Sequence, residues 1–273
     1  MGDFELITLK NGQRAVRHTG NGEVMHPVVG PWAEATTLYV EQSRLAERFA
    51  RVDAGPLCLL DVGLGAATNV SAALACWKQS GARRPLEIHS FEVDLQPLRL
   101  GLQDPEGFPY LVEWREVLEE LAEKGRVQRE GLDWTLHLGD ARQLLPALRC
   151  TVPPELIFHD PFSPESNPTM WTPEVFAELH RLCGPEGAFL VTYSASTRTR
   201  VSLLLGGFFV GVGDPIGFKQ ETTVAATRPE QLARPLDARW FARWERSSAR
   251  APHGRELTAE DEHQIRNHRQ FWD

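Results

Sequence analysis

Residues 57–69, LCLLDVGLGAATN, constrain this chain more than any other stretch. Leu57, Leu59, Leu60 and Val62 form an apolar run with no helical period, bounded by Gly55-Pro56 before it and a glycine turn after it. That pattern predicts a strand buried on both faces, about which the rest of the chain is wound. Gly63 and Gly65 permit a tight turn and a close backbone approach. The small Ala67 lets a helix over 67–79 start against the strand with free N–H groups facing a ligand. A G-x-G-x-A turn of this kind marks a nucleotide-type cofactor site, and it also occurs as plain packing.

The chain has 273 residues, 42% hydrophobic and 24% charged, enough for one large core with an embellishment rather than two full domains. No apolar run approaches ~18 residues, and the start MGDFELITLKNGQ lacks the basic and apolar blocks of a signal peptide. A cytoplasmic location without membrane association is therefore expected. Cys58, Cys76, Cys150 and Cys183 occur singly with no CxxC pair, so they read as small core residues rather than zinc ligands, and no metal is expected. The net charge of -8 argues against binding a polyanion over the whole surface. Residues 228–255 depart from that balance, with seven Arg against three acids and Trp240, Phe241 and Trp244 among them. They form either a nucleic-acid surface or the solvated face of a helix.

In chain order, Asn11-Gly12 predicts an N-terminal hairpin with a two-residue turn, followed by a Gly/Pro-rich loop over 20–31 and a helix over 33–51. Residues 1–52 are thus an extension packed as a partial lid over the glycine turn. The core follows over 53–227, and 228–273 is the Arg/Trp-rich segment. Within the core, a second strand over 86–91 ends at Glu92, where a carboxylate can accept bonds from two ribose hydroxyls. Residues 103–133 read as a helical insertion. A strand over 134–138 then runs into Gly139-Asp140, with Asp140 suited to meet an adenine amino group, to cap the helix that follows, or both. A strand over 156–159 leads into Asp160-Pro161-Phe162-Ser163-Pro164, where Pro161 stiffens the loop and Asp160 is poised over the cleft. Phe162 and Trp171 could turn ring faces toward a cation or pack within that loop. The sheet closes with two strands near 208–213 and 218–226 that are near enough to pair as an antiparallel hairpin.

Several of these segments carry a family resemblance. The run from Gly63-Leu64-Gly65 to Asn69, the Ser90-Phe91-Glu92 strand end, His137-Leu138-Gly139-Asp140, and above all HDPFSPESNPTMWTPEVF (159–176) resemble the MnmC-type methyltransferases. These form the methyl-transfer domain of the tRNA 5-methylaminomethyl-2-thiouridine biosynthesis protein. The resemblance covers about 20–226 and implies an α/β, Rossmann-like S-adenosylmethionine-dependent methyltransferase sheet of seven strands, the last pair antiparallel, with an N-terminal hairpin and helix extension. It implies S-adenosylmethionine as donor and a primary aminomethyl group on a tRNA wobble uridine as acceptor. By motif, Gly63, Gly65 and Asn69 line the donor site, with Asp61 counted beside them, Glu92 holds the ribose, Asp140 faces the adenine, and Asp160 sits at the transfer site. Arg243 and Arg246 are candidate tRNA contacts.

Two departures stand out: Ala67 replaces an expected glycine, and Asp160-Pro161 replaces the more familiar Asp-Gly, nearer to the Asp/Asn-Pro-Pro-aromatic loop of other amine methyltransferases. Some relatives are fused to a flavin-dependent oxidase. The length here leaves no room for one, so a stand-alone enzyme without flavin is expected. A methyltransferase for a small amine is the alternative, and a nicotinamide-dependent oxidoreductase or a degenerate binding module is a third class that the 160–164 loop disfavours.

Overall fold

The computed structural model describes residues 3–26, 29–51 and 54–272, so the expected boundary at 52 and 53 lies outside the described residues. The hairpin pairs β1 (Phe4–Thr8) with β2 (Arg14–His18) in antiparallel register. Its turn is not the expected two-residue type. Only Gly12 takes a positive φ, of 83°, while Leu9 accepts a bond from Gly12 N and donates one to Gln13 O. This is a type I turn closed by a left-handed glycine.

The helix expected over 33–51 is broken. Helix α1 (Pro31–Glu34) runs into a π-helical turn over Ala35–Glu41, and Arg44 at φ 53° separates it from α2 (Leu45–Ala50). The Ser43 hydroxyl donates back to Tyr39 O at 2.6 Å, the local competition by which serine disrupts a helix.

The central sheet begins with β3 (Leu57–Val62), followed by α3 (Thr68–Gln79), β4 (Leu86–Glu92), α4 (Gln96–Gln103) and α5 (Arg115–Lys124). Next come β5 (Arg126–Arg129), β6 (Leu132–Leu138), α6 (Ala141–Leu144), β7 (Leu156–His159), α7 (Pro173–Leu182) and β8 (Phe189–Thr192). The chain ends through α8 (Thr197–Leu205), β9 (Phe209–Gly213), β10 (Thr222–Ala226), α9 (Ala238–Glu245) and α10 (Ala259–Arg266). Among the described residues the sheet has eight strands, not seven, in the order β5-β6-β4-β3-β7-β8-β10-β9. The extra strand is β5, an antiparallel edge strand inside the expected helical insertion, with Val127 alone buried among polar neighbours. Four mostly polar residues carry no period long enough to announce a strand.

All six residues of β3 are buried, and it pairs in parallel with β4 on one side and β7 on the other. Its side chains alternate: Leu57 and Leu59 join a core layer with α3, α4 and α5, while Cys58, Leu60 and Val62 join a second layer with α7, α8 and α9. The strand order reverses between β3 and β7, so the crevice outside their carboxyl ends is where a ligand is expected. Trp240, Phe241 and Trp244 of α9 belong to the second core layer, where Trp240 stacks on Phe271 and Phe241 packs at a tilt against Trp244 and Phe271. They form no exposed stacking surface. Among the described residues, no helix is long and apolar enough to cross a membrane.

Candidate active site

A cleft of about 710 Å³ opens over the carboxyl ends of β3, β4, β6 and β7. Its floor is the glycine turn. Gly63, at φ 96°, lies so close to the β7 end that a Cβ there would sit 2.5 Å from the Asp160 carbonyl oxygen. Only glycine fits both the angle and the gap. Gly65 N donates to Glu92 Oε2 at 2.7 Å, and the amides of Val93 and Asp94 donate to Glu92 Oε1. Glu92 therefore fixes the turn as well as facing the cleft. Burial raises its pKa, against the pull of those three amides. Ala67 occupies the position of the expected glycine in a left-handed conformation, φ 60°, which costs about 1–2 kcal/mol. Its methyl group is wholly buried, which returns about 0.8 kcal/mol.

Asp160 leaves β7 tied to the neighbouring strand by its own amide, which donates to Val62 O at 2.9 Å. Its carboxylate accepts a bond from Asn69 Nδ2 at 2.6 Å and lies 3.8 Å from His26 Nε2. The buried Tyr39 hydroxyl is aimed at it without completing a hydrogen bond. Burial lifts the Asp160 pKa to about 6, although His26, Tyr39 and Asn69 pull it down. His26 Nδ1 lies 3.7 Å from Glu34. Burial alone would lower the imidazole, but the Glu34 and Asp160 carboxylates outweigh it and raise it to about 8. Around neutral pH this corner of the cleft holds the Glu34 and Asp160 carboxylates about the His26 imidazolium, with the Lys219 ammonium near enough to help hold Glu34 ionised.

Of the residues singled out from the sequence, Gly63, Gly65, Glu92, Asp140, Asp160 and Phe162 line the cleft. Asp140 caps α6, accepting from Arg142 N at 2.9 Å, and pairs with the Arg142 guanidinium at the cleft margin. Phe162 stacks on Phe4 and meets His18 edge-on, which ties the hairpin to the 160–164 loop. Glu23 reinforces that tie by accepting from Ser163 N and Oγ.

Three assignments require correction, those of Asp61, Asn69 and Trp171. Asp61 and Asn69 lie beneath the cleft and do not line it. Asp61 accepts from Ser90 Oγ, and burial raises its pKa to about 7. Asn69 reaches Asp160 instead of the donor space. Trp171 is fully buried, bonds Phe162 O through its indole N–H and packs edge-on against His159, so it presents no ring face to a ligand. Arg243 and Arg246 do not line the cleft; Arg243 borders a separate pocket of about 280 Å³ with Arg200 and Arg239.

The sequence reading missed His26, Glu34, Tyr39, Tyr193 and Lys219. His26 sits at φ 52°, while Glu34 ends the first helix and Tyr39 lies in the π turn that follows, which carries its side chain inward. Tyr193 donates to Pro161 O at 3.0 Å, and the Lys219 ammonium lies over its ring. For His26, Glu34 and Tyr39 the local signal was their place in the 1–52 extension, expected to pack as a partial lid over the glycine turn.

Residues 110–228 match the model of a family described as S-adenosyl-L-methionine-dependent methyltransferase. The chain is 32% identical over 269 residues to the tRNA 5-methylaminomethyl-2-thiouridine biosynthesis bifunctional protein MnmC of Pseudomonas aeruginosa strain UCBPP-PA14, covering 89% of this chain and 38% of that protein. The MnmC of Pseudomonas fluorescens strain Pf0-1 is 35% identical over 226 residues, covering 77% of this chain and 33% of its own length. The chain thus spans little more than a third of these relatives. The crystal structure of MNMC2 from Aquifex aeolicus superposes with a TM-score of 0.74 at 26% identity, covering 99% of this chain and 85% of that one. The cleft also offers an adenosyl donor two carboxylates on adjacent strand ends, Glu92 and Asp140, above the glycine turn. Loop motif, glycine turn, sheet order and these likenesses agree that the chain is an MnmC-like member of the S-adenosyl-L-methionine-dependent methyltransferases.

Proposed function

We propose that the protein, acting in the cytoplasm, transfers a methyl group to the primary amine of 5-aminomethyl(-2-thio)uridine at the wobble position of tRNA. The observation that carries this reading is the largely buried Asp160 carboxylate, held by Asn69 beside His26 in the cleft and inside the 159–176 motif that carries the resemblance. The names of those relatives supply the acceptor class. S-adenosylmethionine, when bound, supplies an electrophilic methyl on a sulfonium. Glu92 would meet the ribose and Asp140 the adenine edge. Positioning of the amine against the methyl carbon can contribute about 7–11 kcal/mol. Asp160 accepts an amine N–H, orients the lone pair, and takes or relays the proton, with His26 beside it.

The test is labelled methyl transfer from S-adenosylmethionine to tRNA bearing aminomethyluridine. Transfer to small primary amines with none to this tRNA would overturn the reading in favour of the small-amine alternative. Donor recognition has its own test. Glu92→Ala is expected to weaken S-adenosylmethionine binding by roughly 1–3 kcal/mol, about 5- to 150-fold, because ribose hydroxyls and three amides lose their acceptor. Unchanged affinity by calorimetry in a folded variant would remove Glu92 from the site.

A tRNA substrate must overcome the acidic balance of the chain through local contacts. Within the 228–255 segment, Arg228, Arg234, Arg250 and Arg255 pair with Glu230, Asp214, Glu262 and Asp261, and so are already neutralised. Among the described residues Arg239, Arg243 and Arg246 form no ion pair, and Arg243 and Arg246 are exposed. These are the candidate phosphate contacts, remote from the chemistry. Arg243→Glu with Arg246→Glu is expected to raise the apparent tRNA constant about tenfold and to flatten its salt dependence by one or two counterions, roughly 0.7–0.9 per phosphate in log–log slope. Donor binding should not change. Filter binding across a salt series decides the point; indifference to both salt and charge reversal would remove this patch.

A further inference from the structure

We infer that Cys58, Glu87, His89 and Cys150 form a structural zinc site at the end of the sheet opposite the cleft. Cys58 is the second residue of β3, and the register sets it directly beside Glu87, the second residue of β4. Glu87 and His89 are two apart on one strand and so project from the same face. Cys150 comes from the loop that precedes β7 and closes over this face. One ligand atom from each of the four lies within 4.8 Å of the others. Tetrahedral zinc, with bonds near 2.3 Å to sulfur and 2.0–2.1 Å to nitrogen or oxygen, holds neighbouring ligand atoms roughly 3.3–3.8 Å apart, so side-chain rotation by about 1 Å would close the shell.

Burial and the surrounding bonds favour a cation here. Cys58 is fully buried, and Glu87 and His89 are each 7% exposed, whereas Cys150 is half-buried and offers an entry path. His89 Nε2 lies 2.8 Å from Glu87 Oε1, and its Nδ1 lies 3.0 Å from His137 Nε2. That second contact is the outer partner a ligating imidazole needs to fix its tautomer. Thr151 N donates to Glu87 Oε1 at 2.7 Å and orients the carboxylate. Two sulfurs, one imidazole and one carboxylate make a set for a borderline-soft divalent ion. On binding, the two thiols lose their protons to solvent, and neutral His89 keeps one proton on Nδ1, donated to His137. With four protein ligands the shell is closed, and it lies about 13 Å or more along β3 from the glycine turn. Its work is therefore to fasten the Cys150 loop to β3 and β4.

The whole chain, reduced and stripped with chelator, is titrated with Zn²⁺ and separately with Co²⁺. One ion per chain is expected, with visible cobalt bands of tetrahedral intensity and a near-ultraviolet thiolate band. Zinc should raise Tm by several degrees and change S-adenosylmethionine affinity by less than about twofold, since the sites are remote. Cys150→Ser, in a half-buried loop, should weaken binding at least ~100-fold, and Glu87→Gln about tenfold or more. The cobalt spectrum of the wild type needs no variant and guards against a misfolded one. Absence of binding by the reduced protein, equal binding by Cys150→Ser, or a cobalt spectrum without thiolate character would overturn the assignment. A Cys58–Cys150 disulfide in protein that binds no zinc when reduced would overturn it equally.

Discussion

Asp160→Ala is expected to slow methyl transfer by roughly 100- to 10,000-fold while donor affinity moves less than about threefold. On the proposed mechanism, removing the carboxylate takes away the group that orients the amine and receives its proton. Asn69 Nδ2 would also lose its partner, which adds about 1–3 kcal/mol of destabilisation. Asp160→Asn separates these effects, because the amide oxygen can still accept from Asn69 while no proton can be taken up. Single-turnover rates measured with donor saturating are the readout. A wild-type rate in a folded Asp160→Ala protein would show that the transfer chemistry lies elsewhere.

The same residue sets the pH profile. If Asp160 takes the amine proton as proposed, the rate should rise with pH through about 6, and this limb should vanish in Asp160→Asn. Stability runs the other way. Asp160 and Asp61 are both raised by burial, to about 6 and about 7, so the folded chain binds more protons than the unfolded one between pH 4 and 7. Their contribution is fully present below about pH 4 and is lost as pH rises through those values. The charge state that the proposed mechanism needs is thus the less stable one. A fall in Tm from these two groups should accompany the rise in rate over the same interval.

Gly63→Ala is expected to cost about 2–5 kcal/mol of stability and, with it, measurable donor binding. The backbone at φ 96° disfavours any side chain, and the added Cβ would meet the Asp160 carbonyl oxygen at 2.5 Å and its carbonyl carbon at 2.8 Å. Neither atom belongs to a side chain that could swing aside. Relief would require the β3 and β7 ends to part, breaking the Asp160 amide bond to Val62 and moving the carboxylate away from Asn69. Calorimetry should register a Tm lower by about 5–15 °C, and donor titration should be flat. A wild-type Tm and affinity would mean that the two turns are not packed as closely as described.

The buried central strand and its glycine turn were legible because they rest on local physics: a short apolar run without helical period, then glycines where the chain must reverse. Asp160 followed from topology, since a strand ending in Asp-Pro in an open α/β sheet delivers its carboxylate to the cleft. The inward turn of Trp240, Phe241 and Trp244 was not legible, because an aromatic residue among arginines has the same spelling on a wet face as on a packed one. Arginine pairing was equally hidden, as the partners of Arg234, Arg250 and Arg255 stand elsewhere in the chain.

What the sequence alone determined was therefore the sheet type, the glycine turn at the floor of the cleft, the two strand-end carboxylates Glu92 and Asp160, and the family. The tertiary structure alone decided the rest of the active site and the cysteine cluster. His26 and Asp160 are 134 positions apart, and Cys58 and Cys150 are 92 apart, so no local period or spacing can bring either pair together. Periodicity records which side of an element is buried. Which buried groups meet depends on strand register, on a π turn in the first helix and on a histidine held at positive φ, and these are settled only when the layers pack.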